Sequence, residues 1–113
     1  GDELFSVKEV VSAERLQLTN GTTVRLIGIR QNDTTNQSAM NFLSQKTKEQ
    51  KVLLKYDHQK LDSDNNLLCY VYLKNKTFLN AHLIKKGLAS VDRDMEFRYK
   101  DKFIRLEEES QNG

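Results

Sequence analysis

The stretch LQLTNGTTVRLIGIRQND, residues 16–33, decides how this chain folds. Leu16-Gln17-Leu18 and Val24-Arg25-Leu26 each alternate apolar and polar side chains, the period of a half-buried strand. Asn20-Gly21 stands between them, and both residue types tolerate positive φ, so the pair reads as a hairpin turn. The second run continues through the β-branched Ile27 and Ile29, reaches Arg30 and passes into the polar string Gln31-Asn32-Asp33. A bare guanidinium at the end of a buried strand, with a second one at Arg25, is the feature to be explained.

On either side of this stretch the pattern extends simply. Residues 5–11 read as a preceding strand, which makes the first three strands a meander. Met40, Leu43 and Thr47 recur at helical spacing with Ala39 and Phe42 beside them, predicting an amphipathic helix over residues 37–49. A fourth strand is expected over 52–56 and a fifth over 67–73, separated by a polar loop. A second helix lies in FLNAHLIKKGLA, residues 78–89, where Leu79, Leu83 and Ile84 share a face and Gly87 is placed as the left-handed stop. A third is expected over 95–109, with Phe97, Tyr99, Phe103, Ile104 and Leu106 as core contacts. Lys85-Lys86 and Glu107-Glu108-Glu109 read as solvated faces and ends. Five short strands with one helix after the third and two after the fifth give a mainly β fold with α. The expected architecture is a five-stranded OB-fold barrel closed by about three helices, a single domain over residues 1–113.

The bulk numbers narrow the function classes. A chain of 113 residues suits one domain. No run approaches the roughly 18 apolar residues of a membrane span. Eighteen basic residues stand against 16 acidic ones, a net charge of +2, so the total charge neither demands nor excludes a polyanionic partner. The opening Gly1-Asp2-Glu3-Leu4 is polar, with no apolar leader core; location is not legible in it, and export after removal of a leader is compatible with it. Cys69, the single cysteine, forms no internal disulfide or thiolate site and reads as a small buried hydrophobe. His58 and His82 have no second histidine at ligand spacing, and Ser12 and Ser44 have no nucleophile partners nearby in sequence. Tyr70 and Tyr72 alternate on the fifth strand as parts of the barrel wall.

Three segments together resemble one family. VRLIGIRQND is similar to R-L-(apolar)3-D-x-P-E; DSDNNLLCYVYL is similar to D-x-Y-G-R-x-L-A-Y-V-Y; TFLNAHLIKKGLASV is similar to an N-x-x-L-(V/I)-x-x-G-(L/Y)-A helix. In this order and spacing they resemble the staphylococcal nuclease-like domain, over about residues 7–106. The resemblance implies calcium-dependent phosphodiesterases that cut DNA and RNA. Carboxylates hold the hard cation, which stabilises charge on the phosphate. A glutamate positions water, and two arginines clamp phosphate oxygens.

Carried over residue by residue, the resemblance keeps little of that machinery. The first phosphate arginine falls on Arg25 and is retained. The first metal aspartate falls on Glu14, one methylene longer; the second falls on Arg30; the glutamate falls on Asp33, one methylene shorter; the second phosphate arginine falls on Asn66. The base-stacking tyrosines fall on Asp64, Arg93 and Met95. Replacing a ligating carboxylate by a guanidinium changes the charge beside a dication by two units, which a calcium site cannot absorb.

The expectation is therefore a domain with no intact catalytic set and no metal or small-molecule cofactor. Arg30 would take the metal's place and pair with Glu14, Asp33 or both. Two other readings of Arg30 are a surface arginine directed to water, and membership with Arg15 and Arg25 of an anion-binding cluster, with Arg25 and Arg30 as phosphate-binding candidates. The function expected is a binding module for nucleic acid, protein or another domain. The alternatives are a purely structural module, and an active divalent-metal nuclease using Ca2+, its site rebuilt from Asp57, Asp62 and Asp64.

Overall fold

The computed structural model describes residues 3–112, so the polar residues Gly1 and Asp2 of the sequence reading lie outside it. Five strands close a barrel in the order β1 (Leu4–Val10), β2 (Arg15–Leu18), β3 (Thr23–Leu26), β6 (Leu67–Leu73) and β5 (Lys51–Lys55). All neighbours are antiparallel except β3 and β6, which run parallel with Val24 opposite Leu67 and Leu26 opposite Cys69. The expected five-stranded barrel with three helices is the observed architecture.

Alternation fills the barrel. Leu16, Leu18, Val24, Leu26, Val52, Cys69, Val71 and Leu73 are buried at its centre. The opposite face of β6 is buried at Leu68 and Tyr70, where Tyr70 packs edge-to-face on Phe78 and Tyr99, and half-buried at Tyr72. The β2–β3 turn needs positive φ at one residue of the Asn20-Gly21 pair, not at both. Only Gly21 takes positive φ (89°); Asn20 instead accepts the Thr22 N–H on its side chain at 2.9 Å.

Helix α1 spans Asn36–Thr47, and its buried stripe is Ala39, Leu43 and Thr47, with Met40 and Phe42 half-buried beside it. Helix α2 spans Leu79–Lys85 and ends as expected at Gly87, whose φ is 69°. The Gly87 N–H bonds the Ile84 carbonyl and the Leu88 N–H bonds the Leu83 carbonyl, closing the last turn. Inside α2, Asn80 is fully buried and joins the helix to the barrel. Its side chain accepts the Val71 N–H at 2.8 Å and donates to the carbonyls of Ile27 (3.0 Å) and Cys69 (3.2 Å).

Two differences from the sequence reading shape the site. First, α3 spans Lys100–Asn112, beginning five residues later than expected. Phe97, buried in the turn before it, seals Gly28 rather than sitting on a helix. Gly28 has φ 79°, and a Cβ there would meet the Phe97 ring at 2.5 Å and the Phe103 ring at 3.1 Å. Second, a separate two-stranded sheet appears: β4 (Ile29–Arg30) pairs antiparallel with β7 (Ser90–Val91), Ile29 opposite Val91 and Arg30 opposite Ser90. Glu107 of α3 is not a solvated end. Its carboxylate accepts the Val91 N–H at 2.8 Å and the Arg93 guanidinium at 2.9 Å, fastening α3 to β7.

Candidate functional site at the barrel mouth

The β4–β7 pairing decides what the arginines touch. With Ser90 opposite Arg30, the chain continues through Val91 to Asp92, whose N–H bonds the Gly28 carbonyl at 2.8 Å. The Asp92 carboxylate thereby arrives between the two guanidiniums. Its Oδ2 accepts from Arg25 Nη2 at 3.3 Å and its Oδ1 from Arg30 Nη2 at 2.9 Å. The Asp94 N–H gives the carboxylate its third bond, to Oδ1 at 3.2 Å.

Arg25 is 8 % exposed, and both of its Nη atoms have partners. It lies on the outward face of β3, since Val24 and Leu26 point inward. Its Nη1 donates to the carbonyls of Leu26 (2.8 Å) and Ile29 (2.7 Å), holding the bend between β3 and β4. Glu14 Oε1 stands 3.7 Å from its Nη2. Burial pushes the Arg25 guanidinium below its ordinary pKa, while Glu14 and Asp92 act in the opposite direction.

Arg30 pairs with Asp92 and with Asp94 Oδ2, each at 2.9 Å, and its side chain is about half exposed. The Asp94 bond, then the field of Asp92, raises its pKa. This corrects the expected partners. Glu14 instead accepts the Gln31 N–H at 2.7 Å and pairs with Arg15 at 3.4 Å. Asp33 lies in the turn of Asn32 to Thr35, exposed and without a hydrogen bond or ion pair among the described residues. The reading of Arg30 as directed only to water fails for the same reason. All three arginines of the supposed anion cluster face carboxylates.

Asn66 also stands apart from this knot of ion pairs among Arg25, Arg30, Asp92 and Asp94. Its N–H and side-chain amide bond Asp62 at 2.9 and 3.1 Å, closing the loop tip together with the Asp64 N–H. Burial favours the protonated form of Asp62, but these bonds outweigh it and hold its pKa below the usual range. Of the positions that would carry stacking tyrosines, Asp64 is exposed, Arg93 is tied to Glu107, and Met95 packs against the core. The structure groups Glu14, Arg25 and Arg30 with Asp92 and Asp94, two acids absent from the sequence reading. No local pattern marks these acids: they stand in a turn after β7, where the Asp94 N–H bonds the Asp92 carboxylate.

A divalent ion does not fit this donor set. Asp92 is shared between two guanidiniums, Glu14 is bonded to a backbone N–H, and Arg30 occupies the corner between the acids. Among the described residues no group of three or more His, Cys, Asp or Glu is arranged to hold a metal ion. Asp57 and Asp62 are likewise committed, Asp57 to Tyr70, His58 and the Arg98 N–H.

A five-stranded barrel with one parallel seam, three helices and a mouth built from β3, β4 and β7 defines a nuclease-type OB domain. The profile of the staphylococcal nuclease homologue family matches residues 23–113. The chain belongs to that family. No curated protein matches it.

Proposed function

We propose that this domain binds a partner and does not hydrolyse phosphodiesters with calcium. One observation carries the reading. Arg30 stands where the resemblance puts a metal-binding aspartate, and it is bonded to Asp92 and Asp94 at 2.9 Å each. A cation there would have to displace a guanidinium from two carboxylates and then accept its repulsion. Arg25, the one phosphate arginine retained, supports the same reading, because Asp92 and two carbonyls already take its donors. Asn66 supplies no second clamp, being neutral and bonded to Asp62. No metal or other cofactor is needed for the function proposed.

The test is digestion of single-stranded DNA, duplex DNA and RNA with calcium, magnesium or manganese, beside thermal melting in millimolar calcium against chelator. We expect no metal-dependent cleavage and no rise in melting temperature. Cleavage that chelator abolishes and that Glu14→Gln eliminates in a folded variant would overturn the reading in favour of a rebuilt nuclease.

A further inference from the structure

Away from the knot, the outer face of the β5–β6 ladder carries a groove of about 340 Å3 lined by Leu53, Lys55, Tyr72 and Lys76. Leu53 lies directly opposite Tyr72 in the register. Val52 points into the barrel, so Lys51, Leu53 and Lys55 share the outward side of β5. Phe78 stacks on the Tyr72 ring with centroids 4.5 Å apart and planes 16° from parallel. That contact fixes the ring in place, so little side-chain freedom remains to be lost on binding.

The surroundings are cationic. No Asp or Glu occurs between Asp64 and Asp92, a span that contains Lys74 and Lys76. A second depression, at the end of the ladder where β5 begins and β6 ends, is lined by Leu4, Glu49, Gln50, Lys51 and Lys74, with Glu49 its one acid. Among the described residues, Lys51, Lys74 and Lys76 enter none of the ion pairs.

We propose that this groove is a site for single-stranded nucleic acid, in which a base stacks on Tyr72 over Leu53 and the flanking phosphates meet Lys76, Lys74 and Lys51. A fixed aromatic face bordered by lysine point charges recognises bases without regard to sequence. Duplex DNA keeps its bases inside and cannot use the groove. An extended peptide is less well served, because β5 and β6 are interior strands of a closed barrel and offer no edge for an added strand. The proposal deepens the binding reading above and rests on it.

The experiment is fluorescence anisotropy of a labelled oligouridylate and a labelled duplex, titrated with the intact domain in chelator so that hydrolysis plays no part. We expect preference for the single strand. Tyr72→Leu should weaken binding about 10-fold and Tyr72→Phe should restore it. Lys74→Gln with Lys76→Gln should reduce the slope of log affinity against log salt by ~1.4. Melting of each variant checks that it is folded. Absence of oligonucleotide binding would overturn the site, as would unchanged affinity in folded Tyr72→Leu. So would loss that follows Lys46→Gln with Lys86→Gln, the pair flanking Phe42 on the helical side, or binding confined to anionic vesicles or polyglutamate. Each of those results leaves the digestion test untouched, so the two readings fail separately.

Discussion

Arg25 shows how one side chain can serve structure where the family resemblance implies chemistry. Its guanidinium closes the turn between β3 and β4 through two carbonyls and neutralises Asp92 at 3.3 Å. Truncation would leave Asp92 and both carbonyls without that donor in a nearly closed site. We expect Arg25→Ala to lose about 3 kcal/mol of stability in urea denaturation. Arg30→Ala should cost much less, because its pairs are open to solvent and water replaces the lost donor. A ratio in the other order would show that Arg30 is the keystone. The sequence made both arginines visible, but not their shared acid. Arg30 and Asp92 are 62 positions apart, and no local pattern announces a partner at that distance.

At the scale of elements, legibility followed length. The hairpin, the helix stop at Gly87 and the fifth strand all carry periodic or turn chemistry that a single sequence displays. The β4–β7 sheet does not, since two-residue strands have no period to read. The segment from Met95 to Tyr99 reads as the start of a helix because Phe97 and Tyr99 join Phe103 as candidate core contacts; the chain instead brings Phe97 onto Gly28 before the helix begins. The junction between β5 and α3 carries a further prediction. Asp57, just after β5, accepts bonds from the Tyr70 hydroxyl, the Arg98 N–H, the His58 N–H and the His58 ring. Burial alone would raise its pKa; these bonds reverse that and hold the carboxyl well below its ordinary value. The folded state therefore takes up a proton less readily than the unfolded chain. The stabilisation is fully present above the unfolded pKa of roughly 4 and is lost as pH falls through the folded value. Melting from pH 6 down to pH 2 should show wild type losing more stability than Asp57→Asn. Parallel curves for the two would refute the role given to Asp57.

For the molecule as a whole, the buried cysteine is a reporter. Cys69 is 0 % exposed, lies on β6 facing the barrel interior, and burial pushes its thiol up to about 12. Its Sγ is enclosed by the closed barrel, in which β6 is paired on one side with β3, along the parallel seam, and on the other with β5. We expect an aromatic disulfide reagent to label it only through global unfolding, with a rate whose denaturant dependence matches that of overall stability. Labelling that is fast in native buffer, or independent of denaturant, would mean that the seam opens locally.

That seam also governs the timing of manufacture. β3 meets its neighbour β6 only after α1 and β5 have been made, and Asp92 reaches Arg25 later still. While a ribosome is still elongating the chain, the finished β1–β3 meander displays the unpaired edges of β1 and β3 to the next nascent copy, an invitation to intermolecular pairing. Self-association is thus a hazard of the half-made polypeptide, and it ends when β6 docks and the sheet has no free border.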